Sequence, residues 1–196
     1  MEVLTLCGSL RPVSANGAAL AVVEAALAVA GVSWRRFDDL AGVAPFDPGL
    51  TDDAPEATQR WLDQVDQATG VALAAPEYAG SLAGVAKNAL DWLVGTAGLY
   101  EKPVLIVSAG TTGGRYAREE LLRTLTWQGA FVVAEVGVSA EGLKADAEGR
   151  LTDPDTVSAI RTAAGELVAA LGEPSERRAE RREAVQARLS RGLGGV

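Results

Sequence analysis

Short apolar runs of strand type alternate with segments of helical period along almost the whole chain. The runs cover residues 3–7, 33–37, 71–75, 104–107 and 131–138, and the helical segments cover 17–30, 54–67, 84–94, 116–128 and 154–171. Strands that each give way to a helix build a parallel sheet covered on both faces. The runs at 3, 71 and 104 are apolar almost without interruption, as strands buried on both sides require.

Helix boundaries carry their own chemistry. Asp153 stands where it can cap the last helix, with Pro154 at the first helical position, where a missing N–H costs nothing. Gly31 and Gly172 follow the first and last helices, where left-handed terminators are expected. Residues 38–55, with Pro45, Pro48, Gly42 and Gly49 among them, read as a long irregular surface loop, of a kind that is often functional. From Glu173 the chain becomes strongly charged. Two units are expected: a sheet domain over 1–172, and a tail over 173–196 that is either a solvated, partly helical or disordered extension or an arm that packs on a second subunit.

Composition narrows the function. The chain has 196 residues, 48% of them hydrophobic and 22% charged, enough for one α/β domain with a real core. No apolar run approaches the roughly 20 residues of a bilayer span, and no signal peptide is visible before the first strand. The single cysteine, Cys7, has no internal disulfide partner and reads as a buried structural thiol. A cytoplasmic protein is expected. A net charge of −8 opposes nucleic acid and anionic membranes, so an anionic ligand must be held by local features. The chain contains no histidine. That removes Ser-His-Asp and Cys-His catalysis and the usual histidine metal sites, and no metal is expected. Chemistry is therefore assigned to a cofactor.

Three loops rich in glycine and serine leave the carboxyl ends of strands: Gly8-Ser9-Leu10-Arg11-Pro12-Val13-Ser14-Ala15-Asn16, Pro76-Glu77-Tyr78-Ala79-Gly80-Ser81 and Ser108-Ala109-Gly110-Thr111-Thr112-Gly113-Gly114-Arg115. Five βα units of this length wind as a flavodoxin-like, doubly wound sheet in the order 2-1-3-4-5. That order makes strands 1, 3 and 4 neighbours and brings the three loops together where the winding reverses. In the first loop Ser9, Ser14 and Asn16 offer donors and Arg11 a charge, beside the free N–H groups of a helix start, a set suited to phosphate. Ser14 or Asn16 equally suits a helix cap. The segment spells neither G-x-x-x-x-G-K-[ST] nor G-x-G-x-x-G, although Asp38 and Asp39 lie where a ribose-binding acid would stand. The other two loops suit a flat polar ring. Backbone at Gly80, Gly113 and Gly114 can approach a ligand edge closely, and Tyr78 can lie against a ring face. Glu77 has either a binding carboxylate or one that faces solvent while its backbone binds.

On these residues the chain resembles the NADPH-dependent FMN reductase family, which includes quinone, chromate and azo-dye reductases of flavodoxin-like fold. The matching motifs are Gly8-Ser9-Leu10-Arg11 with Ser14 and Asn16, Pro76-Glu77-Tyr78 with Gly80-Ser81 and the run from Gly84 to Trp92, and Ser108 with Gly113-Gly114-Arg115. The resemblance implies bound FMN, with the phosphate on Ser9, Arg11, Ser14, Ala15 and Asn16. It places the isoalloxazine edge on Pro76, Glu77, Tyr78, Ala79 and Gly80, and the opposite flank on Ser108, Gly113 and Gly114. It further implies a homodimer or homotetramer, with Lys87, Asn88, Asp91 and Trp92 at the interface.

One residue departs from the family pattern: Ala79 stands where an Asn usually follows Glu-Tyr, so an amide beside the flavin loop is missing. The expected activity is hydride transfer from NADPH or NADH through FMN to a small oxidised acceptor, quinone-like, azo or other. No side chain is assigned as catalytic. The alternatives are a flavodoxin-like electron carrier, the flavin-supplying reductase of a two-component monooxygenase, and a biosynthetic tailoring flavoenzyme.

Overall fold

The computed structural model describes residues 1–139 and 142–193. Its main elements, in chain order, are β1 (Glu2–Cys7), α1 (Ala15–Val29), β2 (Ser33–Phe37), α2 (Glu56–Gln67), β3 (Gly70–Ala74), a hairpin of β4 (Glu77–Tyr78) and β5 (Ser81–Leu82), α3 (Gly84–Asp91), β6 (Pro103–Ala109), α4 (Arg115–Trp127), β7 (Phe131–Val138), α5 (Pro154–Leu171) and α6 (Ser175–Leu193). The main sheet runs β2-β1-β3-β6-β7 with every pairing parallel. This is the expected 2-1-3-4-5 order. The hairpin, whose runs are too short to show a period, goes unpredicted.

Every residue of β3 and β6 is buried, as their unbroken apolar runs require. Alternate residues serve opposite faces. Val71 and Leu73 join Leu4, Trp61, Leu90, Trp92 and Leu121 in one core. Ala72 and Ala74 join Leu20, Val23, Phe131, Ile160 and Leu167 in the other. Each fully buried large apolar side chain stabilises the fold by about 1.5–3 kcal/mol. These two layers fix the carboxyl ends of β1, β3 and β6 side by side.

Asp153 caps α5 as expected: its carboxylate accepts the Thr156 N–H at 3.0 Å and hydroxyl at 2.8 Å, with Pro154 in the first turn. Gly31 is left-handed, with φ +71°. Gly172 is not. It sits at φ −95° because the chain turns through Glu173 and Pro174 directly into α6, leaving no room for a left-handed terminator. Near the start of α6 the guanidinium of Arg178 donates to the carbonyls of Leu171, Glu173 and Glu101, and that of Arg182 lies 4.8 Å from the ring centre of Tyr100.

The 38–55 loop contains two short 3-10 turns and is held from inside. The side chain of Asn88 donates to the Ala44 carbonyl at 2.8 Å and accepts the Phe46 N–H at 2.8 Å; the Trp92 indole donates to the same Ala44 carbonyl at 2.7 Å. The interface role expected of Trp92 is therefore corrected. Trp92 is 1% exposed, packed edge-on against Phe46 within its own chain. Lys87 and Asp91, paired at 2.6 Å, are part-exposed on α3.

Candidate flavin site at the sheet edge

The three loops are tied to one another by side chains that the sequence offered as ligands. Asn16, 3% exposed, donates its amide to the Ala109 carbonyl at 2.9 Å and accepts the Ala109 N–H at 2.9 Å, joining the first loop to the third. Ser108 donates to the Ala75 carbonyl at 2.6 Å, joining the third to the second. Glu77 accepts the Tyr116 N–H at 2.8 Å and, more weakly, that of Ala117 and the Thr112 hydroxyl, each at 3.4 Å. The side-chain polar groups of Asn16, Ser108 and Glu77 are thus engaged with the protein itself, and they set the spacing between loops.

What remains free suits an anion. Ser14 caps α1 by accepting the Gly17 N–H at 3.0 Å. The N–H groups of Ala15 and Asn16 lie ahead of the helix's own hydrogen bonds and have no acceptor on the preceding turn. Arg11 is exposed, and its guanidinium has no carboxylate partner among the described residues, where eight other arginines have one. A free cation beside a helix N-terminus is the arrangement that holds a phosphate. Ser9 accepts the Arg11 N–H at 3.4 Å and shapes the same turn. A cavity of about 260 Å³ opens here between the first loop and the end of β2, with Ser9, Arg11, Ser14, Arg36 and Asp38 on its walls. Cys7 also lines it. It is half-buried rather than sealed in the core, because β1 ends there, and its Sγ lies 3.8 Å from the Ser14 hydroxyl.

Glycine is required at this edge for separate reasons. A Cβ on Gly8 would stand 2.9 Å from that of Ala75, so β1 could not approach the second loop. At Gly114, with φ +60°, a Cβ would overlap the Ser108 hydroxyl at 1.8 Å. Gly113, at φ +70°, has space but needs the left-handed backbone.

The second loop forms the β4–β5 hairpin, with Ala79 and Gly80 as its two-residue turn. Both have positive φ, 53° and 70°, the type I′ geometry that Asn-Gly fills best. Pro76 closes the base by accepting the Ala83 N–H at 3.2 Å. Tyr78 is 56% exposed, leaving its ring free for a ligand or partner.

Sequence reasoning missed the residues that hold this hairpin. Glu120 of α4 accepts the Leu82 N–H at 2.9 Å and the Ser81 hydroxyl at 2.5 Å. Partial burial alone would raise its pKa, but these two hydrogen bonds, with Arg123 and Lys87 nearby, hold it below the ordinary value. Arg118 donates to the Gly113 carbonyl at 3.2 Å and pairs with Glu135 at 3.4 Å.

A sheet edge with a phosphate-type cradle and two glycine-bearing loops defines an FMN-binding protein of flavodoxin-like fold. Residues 1–144 match the family described as NADPH-dependent FMN reductase. The quinone reductase of Escherichia coli (strain K12) is 32% identical over 139 residues, covering 68% of this chain and 73% of the relative. The NAD(P)H-dependent FMN reductase PA1204 of Pseudomonas aeruginosa is 34% identical over 163 residues, covering 78% and 85%. Among solved structures, the flavoenzyme NAD(P)H:(acceptor) oxidoreductase FerB from Paracoccus denitrificans superposes with a TM-score of 0.73 at 24% identity, covering 87% of this chain and 96% of the other. This chain belongs to the NADPH-dependent FMN reductase family, and it is an oxidoreductase that uses FMN and NAD(P)H.

Proposed function

We propose that the chain reduces quinone-type acceptors at the expense of NAD(P)H, with FMN bound across the three loops. The reading rests on the cross-tied loop edge with Arg11 left unpaired beside the start of α1. When bound, FMN supplies the two-electron chemistry, taking hydride from the nicotinamide and giving it to the acceptor. The protein's part is positional. Arg11, the Ser9 and Ser14 hydroxyls and the N–H groups of Ala15 and Asn16 neutralise and fix the phosphate. The backbone of Pro76, Glu77, Tyr78, Ala79 and Gly80 meets one edge of the ring, and that of Gly113 and Gly114 the other flank. No side chain need move a proton at the reacting atoms, which agrees with a chain lacking histidine.

A homodimer completes this site. Two observations support it: Tyr78 and Tyr116 stand more than half exposed beside the hairpin, and α4 ends in Trp127 at 82% exposure, with Val94 exposed after α3. Lys87, Asp91, Glu120 and Arg123 lie on the same two helices, two charges of each sign, as a surface that pairs with its own copy requires. The sheet domain spans 1–172, and 173–196 is an appendage. No helix among the described residues is long and apolar enough to cross a membrane. The cytoplasm is the compartment that fits a chain with a single cysteine.

The deciding experiment is the absorption spectrum of the purified protein before and after anaerobic NADPH, followed by addition of a benzoquinone. Bleaching by NADPH and recovery on the quinone are expected. A flavin that does not bleach would make the protein an electron carrier instead.

A further inference from the structure

A second cavity, of about 430 Å³, adjoins the phosphate cradle at Pro12, Ser14 and Gly17 and runs from there along the flank of α1. Its floor is the outer face of that helix, where Ala18, Ala21, Val22 and Ala25 fall on one side. Its far wall is Leu151 with Val157 of α5. The third side is a tight turn over 144–152. There the Asp146 carboxylate accepts the N–H groups of Glu148 and Arg150 and pairs with the Arg150 guanidinium at 2.7 Å. Those hydrogen bonds, led by the Arg150 backbone, hold Asp146 below the ordinary carboxylate range. The turn leans on the first loop, since a Cβ on Gly149 would lie 3.6 Å from Val13.

Three guanidinium groups border this apolar floor: Arg36, Arg150 and Arg161. Arg36 is held by Glu24 through two hydrogen bonds, and Arg150 by Asp146 and Glu148, so their charges are largely matched. Arg161 has no partner among the described residues. A cation without a carboxylate, one helical turn from Val157, gives the groove a local positive end complementary to a negative group joined to an apolar body. The volume is that of an ordinary small-molecule site. We propose that this groove binds an amphipathic anion, an aromatic or medium-chain aliphatic body bearing one carboxylate or sulfonate, with the anion on Arg161 and the body along α1.

The probe is 8-anilinonaphthalene-1-sulfonate, titrated calorimetrically into FMN-loaded protein so that the phosphate cradle is already filled. One-to-one binding is expected. Arg161→Glu should weaken it at least about tenfold while Arg161→Lys stays within about threefold, and the uncharged N-phenyl-1-naphthylamine should bind at least about tenfold more weakly. Ala21→Phe fills the groove from an exposed helix position that folding does not depend on, and should abolish binding. No binding, equal affinity for the uncharged analogue, or binding unchanged by both Arg161→Glu and Ala21→Phe would overturn the proposal. The outcome is separate from the flavin reading. Protein that fails to retain FMN is titrated without it alongside Arg11→Ala, and loss of binding in Arg11→Ala but not in Arg161→Glu would place the probe in the cradle and overturn the groove.

Discussion

The carboxylate of Glu77, in the β4 strand of the hairpin, accepts the backbone N–H of Tyr116 at the start of α4, at 2.8 Å. A loop residue thus serves as the missing cap of a helix 39 positions later in sequence, and the carboxylate of Glu120 returns the bond from α4 to the hairpin. The second and third flavin loops are fastened as one unit. Glu77→Gln keeps a weaker acceptor, whereas Glu77→Ala removes the cap and should cost about 0.5–2 kcal/mol, in line with other lost caps. Thermal melts should rank wild type above Gln above Ala, and FMN affinity should follow that order. An alanine variant with unchanged affinity would show that the fastening does not shape the flavin loops.

Arg11 differs in kind, because its removal leaves nothing unpaired in the protein. Arg11→Ala should leave the melting temperature of flavin-free protein unchanged. It should weaken FMN binding about ten- to hundredfold, the value of one charge-assisted hydrogen bond of about 1.5–3 kcal/mol. Equilibrium dialysis with FMN and riboflavin checks the assignment. The loss should be confined to FMN, since riboflavin has no phosphate for the guanidinium to hold.

The parts legible in the sequence were those written in local periodicity. Unbroken apolar runs at β3 and β6 announced strands buried on both faces, and their glycine-rich exits announced the site. The uses of individual polar side chains were not legible, because Asn16 and Ala109 are 93 residues apart and their pairing depends on strand order. For the same reason Trp92 read as an interface residue: its carbonyl partner, Ala44, lies in a loop with no period to reveal where it packs. The hairpin strands are two residues each, below the length at which alternation appears.

Acid should loosen the hairpin before it unfolds the core. The pKa of Glu120 is depressed in the folded state, so the stability it contributes is present above the unfolded value and lost as pH falls through the lower folded one. Asp153, depressed by the Thr156 N–H and hydroxyl, adds to the same slope at the start of α5. Stability should therefore decline on acidification below the ordinary carboxylate range, and Glu120→Gln should flatten part of that decline. Urea titrations over a pH series measure it. A slope identical in the two proteins would mean that Glu120 titrates normally and that its bonds to Ser81 and Leu82 do not hold in solution.

Ala79 carries the remaining prediction, and the structure changes its meaning. Its φ of 53° lies in the left-handed region, where a Cβ costs about 1–2 kcal/mol, and it precedes Gly80 in a turn whose preferred sequence is Asn-Gly. An Asn at position 79 is therefore favoured by the backbone itself, whether or not its amide also meets a ligand. Ala79→Asn should raise stability by about 1 kcal/mol, which for a chain of this size is about 2–4 °C in melting temperature. Ala79→Val, β-branched in the same conformation, should lower it by a similar amount or more. Because the turn backbone is already in place, FMN affinity should shift less than about threefold in Ala79→Asn, under about 0.7 kcal/mol. Melting curves and FMN titrations on the three proteins separate the two roles. A stable, unshifted melt with altered quinone turnover would assign position 79 to the acceptor pocket. A raised melt with unchanged turnover would assign it to the turn alone.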